Sequence, residues 1–185
     1  MRIPLRTTVL ASCLALAACG SRDADMPAAA ATTPATPAGL SDAELLARGD
    51  YLVRIGGCND CHTPGYAEAA GEVPKAQWLV GSPLGWHGPW GTTYPANLRL
   101  KLQDMDEAAF LAYSAQLHTR PPMPDFAVRA MQEDDRRAIY RFIRSLGPAG
   151  EPAPAYLPPG QTPQPPYVDW VLPPGPPPAQ ATTTG

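Results

Sequence analysis

The chain has 185 residues, and its 14 lysines and arginines nearly balance 17 aspartates and glutamates, which gives a formal net charge of −3 at pH 7. Because both signs are interspersed and the balance is mildly acidic, the composition argues against a nucleic-acid partner and against a broad lysine-rich docking face. The sequence contains nothing that resembles a catalytic triad, a phosphate-binding loop or a nucleotide-binding fingerprint, so we expect no independent enzyme activity.

The N-terminus has the layout of a bacterial signal peptide. Arg2 and Arg6 precede an apolar run that ends at Ala18 and is too short for a stable membrane helix. Residues 16–19, Leu-Ala-Ala-Cys, resemble a lipobox, which predicts a signal peptide over 1–18 and a lipid on Cys19. An odd free thiol is unexpected in an oxidising compartment, which favours lipidation. The alternative is ordinary cleavage after residues 15–17, which would leave a soluble periplasmic protein.

Composition divides the rest of the chain into three zones. Residues 19–40 are rich in Ala, Thr and Pro and predict a flexible tether. Residues 41–147 hold nearly all the periodic sequence, and on the order of 100 residues is the size of one domain. Residues 148–185 contain about half of the prolines and predict an extended tail.

The domain opens with a predicted helix that leads into a cysteine motif. Ser41 and Glu44 form a capping box, and Gly56-Gly57 ends the helix. We expect its buried side to comprise Leu45, Leu52, Val53 and Tyr51.

Residues 58–62, Cys-Asn-Asp-Cys-His, have the C-x-x-C-H spacing of covalent c-type haem attachment. Cys58 and Cys61 can each add to one haem vinyl group, and His62 is then placed to ligate the iron. The alternatives are a thioredoxin-like redox pair, which needs a preceding strand, and half of a zinc site, which needs a second ligand pair. The preceding sequence is helical and no second pair exists, so the motif favours one covalently bound haem c.

About 40 residues with little regular pattern follow, which is long for a connection in a compact domain. They hold Trp78, Trp86, Trp90 and Tyr94, and we expect them to wrap around the haem. The indole N–H groups or Arg99 are candidates to bind the haem propionates.

Two more helices are predicted after this segment. One begins near Asp104, with Glu107 at the reciprocal capping position, and runs through Phe110 and Leu111 to Leu117. The other begins at the acidic residues 133–135 and ends before Gly147-Pro148. Its apolar stripe consists of Ile139, Phe142, Ile143 and Leu146.

A second axial ligand is expected between these helices. Met123 lies in residues 120–124, Arg-Pro-Pro-Met-Pro, where prolines restrict the backbone and can hold a thioether against iron. The rival sulfurs are those of Met131, which suits core packing, and Met105. His87 or His118 would instead give two histidine ligands and a lower potential.

Taken together, residues 41–147 resemble the class I monohaem c-type cytochromes. The resemblance rests on the C-x-x-C-H after a helix, the methionine among prolines and the final amphipathic helix. It implies an all-α fold, a small cytochrome c-like globule around one covalently attached haem, in which the first and last helices cross. Gly49 and Tyr140 or Phe142 are the expected residues at that crossing.

A narrower likeness concerns residues 91–98, Gly-Thr-Thr-Tyr-Pro-Ala-Asn-Leu, together with Pro122-Met123-Pro124. These look like the haem modules of cytochrome subunits from membrane-bound alcohol and sugar dehydrogenases. Those subunits carry three C-x-x-C-H motifs, whereas this chain has one. They also usually have Thr-Pro after the asparagine that corresponds to Asn97, where this chain has Arg99-Leu100.

The resemblance implies one-electron transfer on the periplasmic side of a membrane, with a dehydrogenase, another cytochrome or an oxidase as redox partner. The alternatives are a haem subunit fixed within a dehydrogenase or respiratory complex, and a ligand-binding or catalytic haem protein. Large apolar residues between Tyr167 and Leu172 further predict that this part of the tail packs on a surface, of its own domain or of a partner.

Overall fold

A computed structural model of the protein describes residues 39–171. The predicted signal peptide, Cys19, the tether up to residue 38 and the tail from Leu172 onwards lie outside this range. The described part consists of six helices, one 3-10 turn and three short strands. None of these helices combines the length and the apolar character that a membrane crossing demands.

The first helix, α1 (Asp42–Ile55), forms as the sequence predicts. Ser41 and Glu44 make the capping box, with the Glu44 carboxylate 2.8 Å from the Ser41 backbone nitrogen. The buried residues include Leu45, Leu52 and Val53, but Tyr51 is 55% exposed, so its predicted burial is wrong.

The last helix, α6 (Glu133–Ser145), packs across α1 and forms the centre of the core. A Cβ atom built on Gly49 would lie 2.1 Å from the carbonyl oxygen of Ala138 and 2.5 Å from Cβ of Phe142. The predicted crossing of glycine and aromatic residue is therefore confirmed for Phe142. Tyr140 packs elsewhere, with its ring 5.3 Å from that of Phe110 and its hydroxyl donating to the carbonyl of Met105.

Four further helices lie between these two. They are α2 (Cys58–His62), α3 (Leu98–Lys101), α4 (Glu107–Ala115) and α5 (Asp125–Ala130). The predicted start of α4 at Asp104 is wrong, because the carboxylate of Asp106 caps the helix by accepting from the Ala109 backbone N–H. Glu107 instead pairs with Arg137 and Arg141 of α6, and Leu117 lies beyond the end of α4.

The all-α prediction is wrong, because three strands form a small mixed sheet. Strand β1 (Gly85–Gly88) pairs antiparallel with β2 (Gly91–Thr93) and parallel with β3 (Tyr167–Asp169), so the order is β2-β1-β3. The strands are only three or four residues long, and β3 comes from the proline-rich tail. This pairing places the tail on its own domain, with the Trp170 ring 6.0 Å from Trp86 and 5.9 Å from Trp90.

The long segment after His62 has a core of its own. Trp78 and Leu79 are buried, and the Trp78 indole donates to the carbonyl of Val73 at 2.7 Å. Arg99 donates to the backbone carbonyls of Ala76, Leu146 and Gly147 and so ties this segment to the end of α6. Its predicted role as a propionate partner is therefore unsupported.

Candidate functional site

A largely apolar cavity of about 420 Å³ brings the predicted site residues together. Its walls come from α2, the β1–β2 hairpin, α3, α4, the loop that carries Met123, α5, α6 and the beginning of the tail. Among the residues that line it are Cys58, Cys61, His62, Trp86, Tyr94, Met123 and Met131. A volume of this size is within the range of small-molecule and cofactor sites.

The cysteine motif forms the short helix α2 directly after α1. Gly57 joins the two helices with a φ of +67°, a left-handed conformation that glycine adopts without strain. The buried Asn59 side chain accepts from the Thr63 hydroxyl at 2.7 Å, and that hydroxyl accepts from the Leu79 backbone N–H at 2.8 Å. These bonds fix α2 to the segment that follows it.

His62 is buried and held by one backbone acceptor. Its Nδ1 lies 2.7 Å from the carbonyl oxygen of Ala96, and since a carbonyl can only accept, Nδ1 carries the hydrogen. Burial lowers the pKa of His62, with the hydrogen bond to Ala96 opposing this shift, so the ring is neutral at pH 7. Nε2 then keeps a free lone pair, and a histidine that donates its other ring N–H to a carbonyl is the arrangement common among metal ligands.

The two thiols are free, and their surroundings disfavour the charged thiolate form. Burial raises the pKa of Cys58 to about 11, and burial with the nearby charge of Asp60 raises the pKa of Cys61. Thioredoxin-like cysteines have lowered pKa values instead, and a helix precedes the motif here. Both observations disfavour the redox-pair alternative. Within residues 39–171 no three His, Cys, Asp or Glu side chains cluster in a way that could hold a metal ion by themselves.

The candidate second ligands differ in their placement. Met123, Met131 and the exposed His118 line the cavity, whereas Met105 and His87 do not. His87 Nδ1 lies 2.8 Å from the hydroxyl oxygen of Thr92 and forms a hydrogen bond with it. A Cβ atom on Gly56 would lie 3.8 Å both from Cys58 Sγ and from the Met131 methyl, so Met131 packs beside the start of α2.

Buried donors on the cavity wall test whether these residues fit a haem. Trp86 Nε1 and Arg136 Nε belong to lining residues and have no hydrogen-bond partner among the described residues. Unpaired buried donors are costly, and carboxylate groups such as haem propionates would satisfy them. The apolar walls, two thiols, neutral imidazole and thioethers are also the groups that a covalent haem requires. The residues present fit the group.

Sequence reasoning missed several of these residues. Ala96 contributes through its carbonyl, which any residue supplies, so its side chain carries no signal. Arg136 looks like an ordinary helix-surface arginine, although only 9% of it is exposed. Pro154 and Tyr156 of the tail also line the cavity, a contact made between segments far apart in sequence.

Comparison with known proteins gives one weak similarity. The chain is 28% identical over 153 residues to a nicotinate dehydrogenase subunit of Pseudomonas putida, a match that covers 75% of this chain and 12% of that protein. No protein-family model matches the chain, and no solved structure matches it. The chain is thus similar to a short part of a dehydrogenase subunit and spans about an eighth of that protein's length.

Proposed function

We propose that the chain is a one-electron carrier, a c-type cytochrome in which Cys58 and Cys61 hold one haem c and His62 and Met123 ligate its iron. The observation that carries the proposal is the bond from His62 Nδ1 to Ala96, which leaves the Nε2 lone pair free on a residue that lines the same cavity as both thiols. Met123 supplies a thioether to the same cavity.

Each part of the cavity has a role in this proposal. When bound, haem supplies one-electron exchange between ferric and ferrous iron. His62 and Met123 would hold the iron, which would leave it no position for a substrate, and a thioether ligand would raise its reduction potential. The apolar walls of the cavity would keep water away from the bound group.

The proposed location is the periplasmic side of a bacterial membrane, with Cys19 lipidated as anchor. The partner would be a protein that donates or accepts electrons, such as a dehydrogenase, another cytochrome or an oxidase. No nucleic acid is proposed as a partner.

A second candidate is a haem subunit fixed within a dehydrogenase complex. The similarity to part of a nicotinate dehydrogenase subunit favours it. The haem site is the same in both candidates, and only the lifetime of the contact with the partner differs.

Spectroelectrochemistry of the purified protein tests the proposal. We expect one reversible one-electron step and, in the ferric protein, the weak red absorption band of methionine sulfur on iron. Iron that binds carbon monoxide without any substitution would instead support a ligand-binding haem protein. Purification from membranes in mild detergent then separates the two candidates, because a fixed subunit remains with its complex and a carrier migrates alone.

A further inference from the structure

The beginning of the tail contacts both sides of the site. We call residues 149–157 the strap. Its first contact is with the buried Asn97, whose Nδ2 donates to the carbonyls of Ala149 at 2.8 Å and Glu151 at 3.1 Å. Asn97 directly follows Ala96, the acceptor for His62, so the strap starts beside the histidine side of the site.

The far end of the strap is fixed to strand β2. Thr92 and Leu157 exchange two backbone hydrogen bonds, at 2.8 and 3.0 Å, and the Tyr156 hydroxyl donates to the carbonyl of Trp90 at 2.8 Å. The backbones approach closely here, since a Cβ atom on Gly91 would lie 2.2 Å from the Leu157 carbonyl oxygen. Tyr156 is therefore held by its hydroxyl, which bonds to Trp90, and by its neighbour Leu157, whose backbone pairs with Thr92.

The ring of Tyr156 in turn contacts the loop that carries Met123. The Arg120 guanidinium lies over this ring, 3.8 Å from its centroid, in a cation–π contact. The Thr93 hydroxyl, on the strand next to the strap, donates to the Pro121 carbonyl at 2.6 Å. Two consecutive loop residues just before Met123 are thus held from the tail and from β2.

The opposite side of the loop is held by α5. The Asp125 carboxylate accepts from the Thr119 backbone N–H at 2.6 Å, and the Asp125 backbone N–H donates to the Met123 carbonyl at 2.9 Å. These contacts are within the loop and its own helix. Tyr156, in contrast, ties the loop to the distant tail.

We propose that Tyr156 is a positioning residue for Met123, and that the strap holds the methionine loop closed against the cavity. The ligand role of Met123 in this inference rests on the proposed function. Loss of Tyr156 would let residues 119–124 open more often, because the loop would lose the cation–π contact and its tie to the tail. Each opening would take the Met123 sulfur away from the iron.

Two substitutions of Tyr156 separate the ring from the hydroxyl. Tyr156→Leu removes both. Residues 121, 122 and 124 are prolines without an amide hydrogen, so the readout is the exchange of Thr119 and Asp125, whose N–H groups are hydrogen-bonded at the loop. We expect this exchange to accelerate at least about fivefold. Tyr156→Phe keeps the ring over Arg120 and should give a smaller acceleration. Amides of α1 and α6 should exchange as in the unsubstituted protein. Acceleration across the whole domain, or none in the loop, would overturn the inference.

A third variant moves the strap without touching Tyr156. Gly91→Ala places a Cβ against Leu157 and should accelerate exchange of the same loop amides. In the variant Arg120→Ala, adding Tyr156→Leu should cause little further acceleration, because the contact between the two side chains is already lost. Full additivity of the two substitutions would contradict the cation–π contact as the source of the effect.

Carbon monoxide binding to the ferrous haem protein completes the test. Tyr156→Leu should bind it faster than the unsubstituted protein and slower than Met123→Ala, with weaker methionine absorption in the ferric state. If Met123→Ala opens the iron and Tyr156→Leu changes neither readout, the strap inference fails while the proposed function stands. If the chain carries no haem, the proposed function and the ligand role fail together, and the exchange measurement still decides whether the strap holds the loop.

Discussion

His62 and the two cavity methionines are held by different kinds of contact. A single carbonyl, that of Ala96, fixes the tautomer of His62, while α2 fixes its backbone. Met131 packs against the core beside Cys58, and Met123 lies among prolines in a loop held from several sides. Met131 packs in the core and Met123 lies in a loop. We therefore expect truncation of Met131 to lower the stability of the domain, and truncation of Met123 to change the ligation of the iron instead.

Met123→Ala should open the sixth position of the iron, so that the ferrous protein binds carbon monoxide readily and the ferric protein loses its red methionine band. Met131→Ala is the matched control. It should keep the band and lower the free energy of unfolding by about 2 kcal/mol through lost packing. A band lost only in the Met131 variant would mean that the two sulfurs have been assigned the wrong way round.

Among the elements, the crossing of α1 and α6 leaves no room for added volume at Gly49. Gly49→Ala would place a methyl group 2.1 Å from the Ala138 backbone, which cannot move without shifting α6. We expect the free energy of unfolding to fall by about 1–3 kcal/mol or more. Gly39→Ala is the control, since its added Cβ would have no heavy atom within 4 Å apart from its own chain neighbours. Equal denaturation midpoints for the two variants would contradict this packing.

The sequence predicts α1 and α6 well because their caps and apolar stripes are local signals. The sheet escapes prediction for two physical reasons. Strands β1, Gly-Trp-His-Gly, and β2, Gly-Thr-Thr, are too short to show alternation, and β3 pairs with β1 across most of the domain sequence. The start of α4 is ambiguous in sequence because Asp104 and Asp106 are both plausible caps, and only the structure shows which one accepts the hydrogen bond.

The site shows the same division. Cys58, Cys61 and His62 are predicted by spacing alone, and Met123 by its prolines, and the structure brings all four to one cavity. The Ala96 acceptor, the Asn97 contact and Tyr156 depend on where distant segments meet. No pattern within a short stretch of sequence predicts such long-range contacts.

At the scale of the whole molecule, the described part of the tail, residues 148–171, belongs to the domain and is more than a spacer. Residues 149–169 contact Asn97, β2 and β1 in turn, although Tyr167, Val168 and Trp170 each remain more than a third exposed. The predicted packing of this segment is thus observed on its own domain as far as Trp170, whose backbone N–H donates to the carbonyl of His87. Val171 is 72% exposed, and Leu172 lies outside the described residues.

Attachment to a membrane is a prediction about Cys19, outside the described residues. Cys19→Ser should move the protein from the membrane fraction to the soluble periplasmic fraction, or leave it unprocessed. The measurement is fractionation with mass spectrometry of the mature N-terminus, since several acyl chains give stable anchoring where one short chain does not. An unmodified N-terminus in the original protein would support plain secretion.

The proposed function depends above all on covalent binding of haem by Cys58 and Cys61. The most direct measurement is the mass of the denatured protein, produced in a bacterial host that attaches c-type haem in the periplasm. We predict the mass of the mature chain with its N-terminal modification plus one haem, and loss of that haem mass in the variant with both Cys58→Ala and Cys61→Ala. A haem-free mass for the original protein, or haem retained after denaturation by the double variant, would contradict the account.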